Sequence, residues 1–181
     1  MPRRPKPRQP PPHARPKAQR AKEIIQSLVA HTAGAFAEAA RHDTQRFMGR
    51  WIAFNALYRG YFNGSEREQL MACVRDCVPD AVAETILSHL RQEIDFLRSL
   101  PPGDMRFWSD PKRFRVRSIT DMAVVSDATR AAGERLAHLV AVVYQVRCNL
   151  FHGEKNPAHL RDHELIRSGD RVLEVLLGEL V

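Results

Sequence analysis

An all-α fold, an up-and-down bundle of about five helices behind a disordered basic tail, is predicted by three observations. From Glu23 onward apolar residues recur at helical spacing almost throughout. The strict apolar–polar alternation of a half-buried strand is absent, and no internal repeat is present. The gaps between apolar stretches carry helix punctuation: capping residues, prolines and glycines. A chain of 181 residues with 44% apolar residues suits one domain with one core.

The elements follow in order. Residues 1–22 hold seven of the twelve prolines and eight basic residues with no acid. Such a segment cannot bury enough apolar area to fold, and it is predicted to be disordered with polyproline II character. It is either a solvated extension or an arm that grips nucleic acid by charge alone. Glu23 to about Arg41 is an alanine-rich helix with Ile24, Ile25, Leu28, Val29 and Phe36 at helical spacing. Thr44 to Phe62 is a second helix, ended by Asn63-Gly64-Ser65. Ser65 and Glu68 form a capping-box pattern for the next helix, which runs to about Cys77. It breaks at Pro79 and resumes from Ala81 to Leu100, where Pro101-Pro102-Gly103 stops it. Residues 104–118 mix Phe107, Trp108, Phe114 and Val116 with Arg106, Lys112, Arg113, Arg115 and Arg117, and read as an irregular or short extended insertion. A long helix from about Thr120 reaches Phe151, loosened near Gly133. Gly153 to Pro157 is a turn, and a last helix covers about Ala158 to Leu180.

The net charge of +7 belongs to the tail. Residues 23–181 keep 20 of the 28 bases against all 21 acids, so the expected fold is almost neutral and not a basic surface. No apolar run approaches bilayer length, and no hydrophobic segment follows the basic N-terminus as in a secretory signal. Three cysteines give no disulfide framework, which points to a reducing cytoplasm.

Chemistry concentrates at the end of the long helix, in Val146-Arg147-Cys148-Asn149-Leu150-Phe151-His152-Gly153. Arginine forks onto phosphate oxygens and histidine moves protons near neutral pH, so the pair suits a phosphodiester. Leu136, Leu139, Val140, Val143, Val146 and Leu150 form the apolar stripe, and Arg147 falls on or beside it. There it is either a boundary arginine whose stem packs while its head reaches water, or a ligand-holding group. His152 lies five residues on, about 140° around a regular helix. The two cannot converge unless the helix ends between them, and Gly153 supplies such an end. His152 is then at the helix C-terminus, where the dipole favours its protonated form, as a cap or as a proton carrier. Asn55 sits among Met48, Trp51, Ile52, Tyr58 and Phe62 on the second helix. It either bonds across helices, or supports Arg147 and His152, or touches substrate.

Arg147 and His152, within Arg-x-Asn-Leu-Phe-His-Gly, resemble the Arg-x4–6-His motif of the HEPN (higher eukaryote and prokaryote nucleotide-binding) superfamily. The family's asparagine usually follows the arginine directly, whereas here Cys148 takes that place and Asn149 comes next. Trp51-Ile52-Ala53-Phe54-Asn55-Ala56-Leu57-Tyr58 also looks like the early helix of the bacterial Apea-like group, and Asp162-His163-Glu164-Leu165-Ile166 like the helix after the motif. The match spans about residues 40–181, excluding 104–118. The resemblance implies a helical bundle that dimerises through the motif helices, and metal-independent endoribonuclease activity in toxin–antitoxin, antiphage or RNA-processing settings. It implies that Arg147 and His152, with Asn149 and Asn55 in support, line a shared cleft on a two-fold axis. The 2′-OH attacks the adjacent phosphorus, His152 moves a proton and Arg147 stabilises charge on the phosphorane. Some relatives are inactive and bind RNA, nucleotide or a protein partner. No acidic cluster accompanies the motif, so no metal ion and no cofactor are expected. A modifiable tyrosine found in some members two positions past the histidine is Glu154 here.

Other signals are weaker. Cys73 with Cys77, and His159 with His163, are each one turn apart, but neither pair has a second pair at zinc-like spacing. Cys148 and His152 have the spacing of a nucleophile and base, without an evident orienting third group. Arg106, Lys112, Arg113, Arg115 and Arg117 interleave with aromatics as RNA-binding surfaces do, or decorate a folded-over loop.

Overall fold

The structure, a computed structural model, describes residues 35–151, 157 and 159–180. The tail over 1–22, the start of the expected first helix, and His152 with Gly153 lie outside the described residues. Among the described residues the fold is all-α, with seven α-helices and no strand: α1 (Ala35–Tyr58), α2 (Glu66–Cys77), α3 (Asp80–His89), α4 (Arg91–Ser99), α5 (Val116–Ser126), α6 (Ala132–Phe151) and α7 (Leu160–Leu180). A single 3-10 turn, Met105–Phe107, interrupts the segment between α4 and α5.

The expected count of about five is corrected to seven: one expected break is absent, and two stretches expected to be single helices each divide. The break expected between Arg41 and Thr44 does not exist. The Thr44 hydroxyl donates to the Ala40 carbonyl at 2.7 Å, inside the helix. The Asp43 carboxylate accepts from Arg46 at 2.6 Å and pairs with His163 at 2.7 Å. The stretch from Ala81 to Leu100 divides at Leu90, whose backbone (φ −101°, ψ 17°) leaves the helical region. Buried Leu90 anchors that bend. The long helix expected from Thr120 starts earlier, at Val116, and divides at 127–131. There the Asp127 carboxylate accepts from the Thr129 backbone N–H at 3.0 Å and its hydroxyl at 2.6 Å, a side-chain turn that competes with the helix. Gly133, where loosening was expected, lies inside the first turn of α6 and donates its N–H to Asp80 Oδ1 at 2.7 Å.

Of two further boundaries, one stands as read and one moves. Ser65 and Glu68 form the reciprocal capping box of α2. α1 stops at Tyr58, short of Phe62, because Gly60 takes φ +86°.

The helix α6 is central. It packs on α2, α3 and α5 and touches α7, while α1 lies along α7. Its burial on nearly all sides explains the near-continuous run Leu139–Val143, all of it buried. An aromatic ladder on α1, Phe47, Trp51, Phe54 and Tyr58, fills the core at one-turn spacing, with centroids 5.2–6.4 Å apart. The α1–α7 seam is also ionic: Arg46 and Arg50 both reach buried Asp170, and Arg50 reaches Glu174 at 2.6 Å. Gly169 makes room for this packing, since a Cβ there would stand 2.9 Å from the Phe47 ring.

Candidate functional site

Arg147 lies in the last turn of α6, with its side chain 21% exposed. Its guanidinium rests among three aromatic faces: 4.5 Å from the Phe151 centroid, 5.6 Å from Trp51 and 6.0 Å from Tyr144. Its Nη1 reaches Glu66 Oε2 at 3.5 Å, long for such a pair. Its Nε is buried without a hydrogen-bond partner, and its Nη2 makes none among the described residues. The charge is therefore positioned more by stacking than by pairing. Phe151, next to the motif histidine, is 47% exposed.

Glu66 gathers this corner together. As the first residue of α2 it sits where a helix dipole favours a carboxylate. It accepts from Tyr58 of α1 at 3.1 Å, from Tyr144 of α6 at 3.3 Å and from Arg147. Burial pushes both phenols above their ordinary value, and the neighbouring carboxylate adds to the shift. Both therefore stay protonated as donors at neutral pH. Three helices thus converge on one carboxylate beside the motif arginine. Sequence reading missed Glu66 and Tyr144. The only local signal for Glu66 was a first-turn acid, which helices carry routinely.

Asn149 is buried, at 2% exposure. Its Nδ2 donates to the Gly103 carbonyl at 2.7 Å, and its Oδ1 accepts from Gln145 Nε2 at 2.9 Å. The amide ties the base of the 104–118 segment to α6. Gly103 is obligatory there, because a Cβ would fall 2.1 Å from the Phe114 ring. Asn149→Ala removes the bond to Gly103 and strands Gln145. The expected cost is about 2–3 kcal/mol. Urea unfolding measures it, and faster trypsin cleavage after Arg106, Arg113 or Arg115 should accompany it. Unchanged stability would show that this tie is idle. Asn55 is half-buried on α1, one turn beyond Trp51, and its Oδ1 has no hydrogen-bond partner among the described residues. Trp51 Nε1 is likewise unpartnered.

The segment expected to be irregular is a folded loop closed by the Asp104 N–H to the Phe114 carbonyl at 2.6 Å. Its cations divide by environment. Arg106 forks onto Asp104 at 2.9 and 2.6 Å, which holds that carboxyl below its ordinary value. Arg113 stacks on Phe107 at 3.9 Å, and Arg115 lies 5.8 Å from the Phe114 centroid. Lys112 and Arg117 are exposed. Between this loop, the start of α2 and the last turns of α6 lies a cleft of about 860 Å³. Tyr144, Cys148 and Asn149 line it from α6, so it adjoins the motif.

Among the described residues no group of three histidine, cysteine or acidic side chains is placed to hold a metal ion. His163 bonds Asp43, and Cys73 is buried, with its thiol pushed up to about 12 by that burial. Among them also, no helix is long and apolar enough to cross a membrane. No protein-family model, no curated protein and no solved structure matches this chain.

Proposed function

We propose that the chain is a metal-independent endoribonuclease of the HEPN kind, active as a homodimer. One observation carries this: the partly exposed guanidinium of Arg147, stacked on aromatic rings with Nη2 unpartnered among the described residues, at the helix end that leads in sequence to His152. A fork held in place yet not fully paired suits a phosphate, which would displace the long contact to Glu66. The ribose 2′-OH attacks the adjacent phosphorus in line, and the 5′-oxygen of the next nucleotide leaves with a proton. His152 from one copy takes the hydroxyl proton and His152 of the second supplies the other, because one histidine cannot begin as both base and acid. Arg147 stabilises the charge that builds on the phosphorane oxygens. By the same resemblance the setting is a toxin–antitoxin or antiphage system in the cytoplasm, where three free cysteines are at home.

The alternative is a module that binds RNA, nucleotide or an antitoxin-like partner without turnover. The carboxylate of Glu66 beside Arg147 favours it, since it offsets part of the charge a transition state would use.

The deciding experiment is His152→Ala, with RNA cleavage measured in the presence of a chelator and folding followed by circular dichroism. Loss of cleavage with an unchanged spectrum is expected. Failure of the wild-type dimer to cleave any RNA under those conditions, with RNA binding retained, would give the case to the binding module.

A further inference from the structure

We propose that the cleft beside α6 is a pocket for one nucleotide of single-stranded RNA, its base against Trp108 and its phosphate on Arg117. This rests on RNA being the ligand of the motif, and it assigns recognition to residues that take no part in cleavage.

Three arginines line the cleft, and they are not equivalent. Arg67 is committed to buried Asp121, and Arg106 is forked onto Asp104. Arg117 is exposed and has neither an ion pair nor a hydrogen bond from its side chain among the described residues. It occupies the first turn of α5, a helix start with no acidic residue and no side-chain cap. The N-terminal dipole there adds positive potential to that of the guanidinium. A phosphate is the group both features favour.

The rest of the cleft is built for something larger than phosphate. Its 860 Å³ lies in the range of small-molecule sites. Trp108 stands at its lip with 45% of its surface exposed, a broad ring on which a base can stack. Gln145, only 7% exposed, lies in its wall. The Nε2 of Gln145 is spent on Asn149, while its Oε1 has no partner among the described residues. An amide oxygen without a hydrogen bond there is an acceptor for a base N–H. A guanidinium without an ion pair among the described residues, a partly exposed aromatic ring and an amide acceptor in one cleft match phosphate, ring and base edge. Bases stacked in a duplex cannot enter such a pocket, so the strand must be single. Cys148, also in the wall, directly follows Arg147 and precedes His152 by one turn. An RNA strand leaving the pocket along α6 therefore meets the motif within about 5–6 Å of helix.

The test uses the full chain carrying His152→Ala, so that RNA survives, and a seven-nucleotide single-stranded RNA of mixed sequence. The chain has two tryptophans, so Trp51→Phe is added and binding is read from Trp108 emission. RNA should quench that emission to saturation and slow alkylation of Cys148, while exposed Cys77 on the far end of α2 reacts as before. Arg117→Ala should weaken binding about tenfold and lower the slope of log affinity against log salt by about 0.7, as for one lost phosphate contact. Trp108→Ala should cost about tenfold and Trp108→Phe much less. Binding without quenching, unchanged affinity in Arg117→Ala, or equal Cys148 protection by polyphosphate would each overturn the pocket. A wild-type chain that binds in this manner but cuts nothing would refute the nuclease alone, leaving the pocket standing.

Discussion

Replacing Arg147 with alanine is expected to slow RNA cleavage by about a hundred- to a thousandfold, the usual loss when one preorganised donor to a developing oxyanion is removed. The loss should fall mainly on kcat, because the contact strengthens as charge builds on phosphorus. The fold should survive. Glu66 keeps its two tyrosine donors when Arg147 is gone, so no buried carboxylate is stranded. Arg147→Lys is the sharper variant. It keeps the charge but loses the planar fork and its stacking on Phe151, so cleavage should stay at least about tenfold below wild type. If lysine restores full activity, Arg147 is a point charge or a packing stem, and a two-pronged phosphate contact is wrong. Glu66→Gln provides a control in the other direction. It retains acceptors for the tyrosine hydroxyls while removing the opposing charge, so it should tighten RNA binding.

How far the sequence led can be judged from these same residues. Arg147 and Asn149 were legible as anomalies because a polar side chain beside an apolar helical stripe is visible at short range. Their partners were not. Glu66 is 81 residues from Arg147, and the Gly103 carbonyl is 46 from Asn149. No periodicity encodes such a pairing, which exists only once α2 and α6 are packed. Asn149 is legible as a support of the site, but that its amide joins the loop to the helix is not. Helix boundaries divide in the same way. The capping box at Ser65 and the break at Pro79 are local and were readable. The bend at Leu90 has neither glycine nor proline, and is set by where a leucine buries. Continuity through Asp43 depends on His163, contributed by a helix at the other end of the chain. The basic residues of 104–118 were legible as a group, but only folding separates Arg106, forked onto Asp104, from Arg117, exposed and without an ion pair among the described residues.

Trp51→Ala should be among the most damaging single changes in the chain, at about 3–5 kcal/mol, the range for truncating a large buried aromatic. Trp51 is 1% exposed, packs edge-on against Phe54 at 5.9 Å and lies 6.0 Å from Tyr144. Its loss opens a cavity among the α1 ladder, α6 and the guanidinium of Arg147. For a domain of this size that corresponds to a fall in Tm of about 6–20 °C. Urea unfolding should show a lower midpoint with the slope unchanged. Trp51→Phe separates two contributions. It leaves an aromatic ring for Phe54 and Arg147, and it deletes an indole N–H that is buried without a partner. Removing an unsatisfied buried donor returns about 1–3 kcal/mol, which offsets much of the smaller cavity. The phenylalanine variant should therefore sit within about 1–2 kcal/mol of wild type. Equal destabilisation by both changes would mean that the indole nitrogen is satisfied in solution, by water or by Asn55, whose Oδ1 is unpartnered one turn away. Asn55→Leu would then distinguish the two: it should destabilise only if that amide had been the acceptor. The corner where α1 meets the motif helix would in that case be held by a polar pair across one turn of α1, and the stacking of Arg147 on Trp51 would depend on it.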